Sequence, residues 1–298
     1  MSVAASAPAG AALLMLASVA STATQNCLIR MAADSGIHAF EVVLFRNVFG
    51  LLSVAAVIVL TERGIPRTHL AVLIGLACIL HVASMMAGFL AVALLPLNDS
   101  TALSFAGPLF TTVGAALFLG ETVRVRRWIA VAAGFAGVLI ILRPGIVAIE
   151  FGAVMMLLAT VLGAAVTLMF KRFAGGERAT TLILYQTAFS ALLSVPPTAP
   201  VWTAPDAAQA LLLATIGILG TVSWLAFLRA FTLADASAVM PYEFARLPFV
   251  AVLAYLIYGE TPDLWTWIGA AVVFASNIFI AHREVAAHRA AARGGKGL

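Results

Sequence analysis

Glu243 and Arg246 stand three positions apart in an otherwise apolar stretch, Ala236 to Glu260, ASAVMPYEFARLPFVAVLAYLIYGE. At that spacing two side chains share one face of a helix. A carboxylate and a guanidinium on one face can hold a zwitterion. Arg246 would take its anionic group, and Glu243 its ammonium or a coupling proton. The pair can equally satisfy itself as a structural ion bridge. A bilayer core takes about 20 helical residues to cross, and an ionisable group placed there costs roughly 2.5–3.5 kcal/mol on insertion scales. Such residues usually face a bundle interior or a water-filled cavity.

Other polar residues in apolar runs join them as candidates, each with a plainer reading beside it. His81 carries an imidazole, which exchanges a proton near neutrality; it lines a site and couples a proton, or it is a buried hydrogen-bond partner. Arg46 and Asn47 reach substrate or clamp neighbouring helix ends. Gln25, Asn26, Tyr185 and Gln186 line a site or bond between helices, for about 0.6 kcal/mol each. Trp224 walls a cavity for an aromatic or cationic ligand, or simply packs. Ser104, Phe105 and Tyr242 complete the candidate binding set. Asn98 and Asp99 sit at the mouth of a run, where Asp99 reads as a solvated cap. Pro96, Pro108, Pro241 and Pro248 each remove a backbone bond, giving a hinge or a fixed kink. Glu121 and Glu260 read as structural bonds to the next helix start. Cys27 and Cys78 read as packing residues. Nothing in the spacing calls for a metal or a cofactor.

The elements that position these residues follow from composition. The chain of 298 residues is 63% hydrophobic and 10% charged, with mean hydropathy +1.07. A soluble domain carries about 25% charged residues. The basic residues fall between apolar runs, not on one face, which argues against a nucleic-acid partner. Ten runs approach or reach spanning length: 10–30, 39–61, 70–92, 97–119, 127–143, 150–171, 180–197, 207–229, 236–258 and 264–282. The seventh ends at Pro196-Pro197. Their continuity excludes the alternation of a membrane barrel, leaving helices. No Lys or Arg precedes Arg30, so the first run lacks the basic start of a secretory signal and reads as an uncleaved first span. With the N-terminus inside, inside loops hold Arg63, Arg67, Arg124, Arg126, Arg127, Lys171, Arg172, Arg178 and Arg229, and the tail adds Arg283, Arg289, Arg293 and Lys296. Outside loops hold Arg30 and Arg143. The positive-inside rule then predicts ten spans with N and C termini cytoplasmic.

Slid along itself until Phe105-Ala106 falls on Phe244-Ala245, the chain matches itself at further points without a gap. Gly120-Glu121-Thr122 falls on Gly259-Glu260-Thr261, and Trp128-Ile129 on Trp267-Ile268. Glu243 and Arg246 fall on Ser104 and Gly107, so one half carries charge where the other has small residues. The register predicts two five-helix repeats, 1–146 and 147–283, followed by a basic cytoplasmic tail, 284–298. Because five is odd, the repeats are inverted, an architecture that places a substrate site near the midplane. Ala130, Gly134 and Gly137 give the fifth helix a small-residue face. The fifth and tenth helices therefore pack the halves together or meet a second subunit in a homodimer.

These residues resemble the ten-helix EamA-type transporters of the drug/metabolite transporter superfamily. The resemblance rests on Phe105 to Thr122 (FAGPLFTTVGAALFLGET), Arg126-Arg127-Trp128, Gly134 to Gly145 (GFAGVLIILRPG) and the second copy ending at Glu260 (LPFVAVLAYLIYGE). Phe45-Arg46, Pro241-Tyr242 and Arg246-Leu247 fit it too, and it covers nearly the whole chain. It implies an all-α inner-membrane secondary transporter of a small metabolite, often an amino acid or a derivative. A heteroaromatic vitamin or drug-like compound is the alternative, resting on Trp224 more than on the charged pair. No nucleotide-cradling motif, HExxH or GxSxG appears, which argues against an enzyme; a channel is the remaining class. On this reading Arg246→Ala abolishes transport while the protein still inserts and folds. Flux at the wild-type rate from that variant would remove Arg246 from the site.

Overall fold

Backbone N–H and C=O groups inside a bilayer have no water to bond, so an apolar chain closes its hydrogen bonds within each helix. The computed structural model follows that rule. It describes residues 9–61, 68–120, 125–144, 148–173, 179–234 and 239–294, and among them there is no strand. The helices are α1 (Ala9–Asp34), α2 (Ala39–Thr61), α3 (Ala71–Leu94), α4 (Leu97–Ser104), α5 (Gly107–Phe118), α6 (Val125–Leu142), α7 (Phe151–Phe173), α8 (Ala179–Thr198), α9 (Ala207–Leu233), α10 (Arg246–Tyr258) and α11 (Leu264–Gly294). A 3-10 turn, Met240–Ala245, leads into α10. Among the described residues, seven segments are long and apolar enough to cross a membrane: α1, 39–56 of α2, α3, α4 with α5, α6, α7 up to Arg172, and α9.

Several expectations need correcting. The fourth and ninth runs are broken, not continuous. Pro108 has no N–H to give Ser104, so the chain tightens: Phe105 N donates to Ala102 O at 3.3 Å and Leu109 N to Ala106 O at 3.0 Å. The Phe105 carbonyl loses its helical donor and accepts instead from Asn277 Nδ2 of α11 at 2.9 Å. Helix α11 continues into the tail, to Gly294, whereas α8 ends at Thr198, one residue past Pro196-Pro197, as expected. Asp99 is not a solvated cap; it accepts from Thr266 Oγ1 at 2.6 Å. Glu260 bonds the start of α4, not of the following helix: its carboxylate accepts from Leu97 N at 2.9 Å and lies 3.6 Å from Arg30. A carboxylate at a helix N-terminus is favoured by the unpaired N–H groups there. Its repeat mate Glu121 lies outside the described residues, as do Arg63, Arg67, Arg124, Arg178 and Lys296.

The helix pairings exchange under a swap of the two sequence repeats. α1 packs on α9 as α7 packs on α3; α2 on α9 as α8 on α3; α1 on α10 as α7 on α5. Three pairings map onto themselves: α2 with α8, the α4–α5 segment with α10, and α6 with α11. Such self-paired contacts lie along the axis that relates the halves. The match extends to side chains. Ser84 and Ser223 are repeat mates, and each donates to a carbonyl of the facing helix, Ala159 O at 2.7 Å and Ser18 O at 2.9 Å.

Helices α6 and α11 meet backbone to backbone. A Cβ at Gly137 would lie 2.8 Å from the Gly269 carbonyl oxygen, and one at Gly269 2.6 Å from that of Gly137. The expected small-residue face therefore joins one half to the other. At the end of α6, Arg143 adopts φ 46°, a left-handed conformation costing about 1–2 kcal/mol, and reaches Asp263 Oδ2 at 2.7 Å. Asp263 caps α11 by accepting from Thr266 N at 2.7 Å. Burial pushes the Asp263 carboxyl up, but the Thr266 hydrogen bonds and the Arg143 guanidinium outweigh it and hold it below its usual value. Its bond to Arg143 thus persists above the ordinary carboxylate range and weakens only as pH falls through the lowered value. We expect Gly137→Val to destabilise the protein by about 1–3 kcal/mol through overpacking, seen as a fall in the thermal midpoint of solubilised protein. Gly10→Ala, where a Cβ meets nothing within 4 Å, should leave the midpoint unchanged or raise it. An unchanged midpoint in Gly137→Val would show that α6 and α11 do not meet this closely.

Candidate functional site

The candidate residues separate into two groups, both at contacts between the halves. The first forms where the two broken segments meet. Gly107 opens α5 and Arg246 opens α10, and these positions are repeat mates, so the breaks are equivalent. Phe105 and Phe244, also repeat mates, pack on each other with ring centroids 5.0 Å apart. Two equivalent residues touch only where they flank the axis.

Arg246 sits in that junction. Its guanidinium lies 3.3 Å from Glu243 Oε1, donates to Ser104 Oγ at 3.0 Å and covers the Phe105 ring at 4.7 Å from the centroid. Ser104 is the repeat mate of Glu243, so Arg246 bridges a residue and its counterpart. Both charged side chains are mostly covered, 18% and 23% exposed. The guanidinium thus has an anion, a neutral acceptor and a π-face, the last worth about 2 kcal/mol where water is excluded.

The second group lines a cavity of about 130 Å³ between α2, α3, α8 and α9. Arg46, Asn47, His81, Gln186 and Trp224 all border it, with Ser190 and Thr221. Asn47 and Gln186 are repeat mates, as are His81 and Gly220, and both members of each pair lie on the wall. The cavity therefore also straddles the axis. Asn47 is fixed by donating to Ser194 Oγ at 2.8 Å. Gln25 is fixed by donating to Ile216 O at 2.8 Å and stands behind Gly220. Trp224 stacks on Phe227 at 5.7 Å and 9°, with 45% of its surface exposed.

Three candidates belong to neither group. Tyr185 packs against Phe189 and is not on the cavity wall. Tyr242 packs with Ala11, Met15, Ala230 and Val239. Asn26 is half-buried on α1 and also off that wall. Sequence reasoning overlooked Asn277, which satisfies the freed Phe105 carbonyl, and the Ser84 and Ser223 bonds. The serines left a readable signal, since they recur in the repeat register; Asn277 left none.

The model of the EamA-like transporter family matches residues 9–143 and again 150–281. An S-adenosylmethionine uptake transporter of Rickettsia bellii is 30% identical over 275 residues, covering 91% of this chain and 92% of the relative. A riboflavin transporter of Rhizobium johnstonii is 31% identical over 293 residues, covering 94% and 93%. One solved crystal structure superposes with TM-score 0.62 over 90% of this chain and 94% of its own, at 14% identity, a likeness of fold alone. The chain belongs to the EamA-like transporter family and is a multi-pass inner-membrane transporter of the drug/metabolite superfamily.

Proposed function

We propose that the protein is a secondary transporter that moves an amino acid or an amino-acid derivative across the inner membrane by alternating access. In this reading ten spans form two inverted repeats, residues 1–146 and 147–283, with both termini and the 284–298 tail in the cytoplasm. One observation carries it: the cavity of about 130 Å³ is walled by repeat-equivalent positions from both halves, Asn47 with Gln186 and His81 with Gly220. A hollow shared this way faces one side or the other as the halves rock about their axis. The broken segments at Gly107 and Arg246 supply the joint. Glu243 and Arg246, held to each other and to Ser104, are the charged contacts that the cycle remakes, and His81 and Glu243 are the candidates for proton coupling.

The substrate class draws support from the relatives. S-adenosylmethionine, for which the Rickettsia protein is named, is itself an amino-acid derivative carrying a heteroaromatic base. A second reading, a heteroaromatic vitamin, is favoured by Trp224 on the cavity wall and by the relatives named for riboflavin.

Purified protein in sealed liposomes tests both. We expect saturable uptake of a labelled amino acid or of S-adenosylmethionine, accelerated by the same compound trapped inside. Uptake of riboflavin with neither amino compound moving would select the second reading. Flux that rises without saturation would indicate a pore, and chemical conversion of the solute an enzyme. Either outcome removes the carrier assignment.

A further inference from the structure

Three arginines in or beside the helical bundle have a carboxylate at hand. Arg30 lies 3.6 Å from Glu260, Arg143 2.7 Å from Asp263 and Arg246 3.3 Å from Glu243. Arg46 differs. Among the described residues no carboxylate lies within ion-pair distance of it, and no protein oxygen accepts any of its N–H groups. Its sole polar contact there is Met85 Sδ, 3.5 Å from Nη1, and thioether sulfur is a weak acceptor. Its Nε is sealed from solvent and without a hydrogen-bond partner, as are those of Arg30, Arg143 and Arg246, so the difference lies in the missing carboxylate. A guanidinium stays charged in proteins, so it cannot escape this cost by losing a proton. Leaving such a charge buried and unpaired is strongly unfavourable. The structure nevertheless holds it on the wall of a cavity.

The surroundings are built to keep it there. Gly220 faces the guanidinium across the cavity edge. A Cβ at that position would lie 3.2 Å from Arg46 Nε and 2.6 Å from Gln25 Nε2. The missing side chain is what admits both groups, and Gln25 is itself fixed to the Ile216 carbonyl. The repeat mate of Gly220 is His81, a large ring, so the two halves differ where room is needed. No Asp or Glu lines the cavity; its other polar groups include the neutral Asn47, Gln186, Ser190 and Thr221. The wall supplies positive charge and hydrogen-bonding groups, and an occupant must supply the negative charge. The volume of about 130 Å³ is near that of an engineered cavity of about 150 Å³ that takes benzene. It suits the head of a small organic acid.

We propose that this cavity is an anion seat, in which Arg46 holds the carboxylate of a small organic acid by a forked, charge-assisted pair of hydrogen bonds. Gly220 is the positioning residue that leaves the guanidinium its place. Under the carrier reading, on which its physiological role rests, the seat anchors the acid group of the substrate. The binding itself does not depend on transport.

The test is calorimetric titration of the purified full-length protein with benzoate and with benzamide, which match in size and shape but differ in charge. Wild type should bind benzoate saturably and benzamide at least about tenfold more weakly, the loss expected when a charged hydrogen bond is forgone. Arg46→Gln should erase that preference. Arg46→Lys, which keeps the charge, should retain part of it, and it stands in should the glutamine variant fail to fold. Gly220→Ser should weaken benzoate binding by pushing the guanidinium aside. Equal binding of the two probes to wild type, or undiminished benzoate preference in Arg46→Gln, overturns the seat. Saturable transport without any benzoate preference would remove the seat and leave the carrier reading. Benzoate preference in a protein that moves no solute would do the reverse.

Discussion

Water is absent from a bilayer core, so every charge and every freed backbone group there must find its partner in the protein or in what the protein binds. Arg246 and Arg46, both in the helical bundle, answer that requirement in opposite ways. Arg246 has Glu243, Ser104 and the Phe105 ring. Arg46 has a methionine sulfur. The desolvation cost is similar for two guanidiniums, yet only one is offset internally. The same requirement explains Asn277, whose amide takes up the Phe105 carbonyl that the break before Pro108 leaves without a helical donor. It explains Glu260 as well, which serves an unpaired N–H at the start of α4 and keeps Arg30 close. A helix can be broken inside the membrane only if side chains from other helices are already in place to receive the loose groups. That makes the broken segments and their supporting residues one unit.

Much of the fold was legible because membrane sequence is a strong signal. Apolar runs set most helix limits, and Gly-Glu-Thr with Trp-Ile, recurring in one register, exposed the repeat. Ser104 and Phe105 entered the candidate set through that register, and the structure brings both to Arg246. Legibility stopped where geometry depends on a neighbour. Pro108 announced lost backbone bonding but not that the segment would split into α4 and α5. Asp99 looked solvated because its partner, Thr266, lies 167 residues away. The cavity could not be read at all. Its walls come from four helices, and nothing in one chain of letters says that Arg46 and Trp224 share a hollow while Tyr185, next to Gln186, turns to Phe189.

Departures from the repeat mark where the two halves are not equivalent. Packing follows the symmetry: the α1–α9 and α3–α7 seams mirror each other down to the serines that cross them, and α6 meets α11 through glycine on both sides. Such contacts need only shape, and duplicated shape supplies it. A solute that is not itself symmetric does not match such symmetry. A site that recognises it must differ between the two sides. Differences of this kind occur at His81 against Gly220, Glu243 against Ser104 and Arg246 against Gly107, and Arg46 differs from its mate Tyr185, which packs on Phe189 away from the cavity. Each puts a large polar or charged group in one half and a smaller or uncharged one in the other. If symmetry alone governed the axis, a second imidazole would stand where Gly220 now meets Arg46, and a second carboxylate where Ser104 now meets Arg246. A glycine and a serine in those places leave room beside each guanidinium. Near Arg246 that room is taken by Phe105 and Ser104; beside Arg46 it stays open as the cavity.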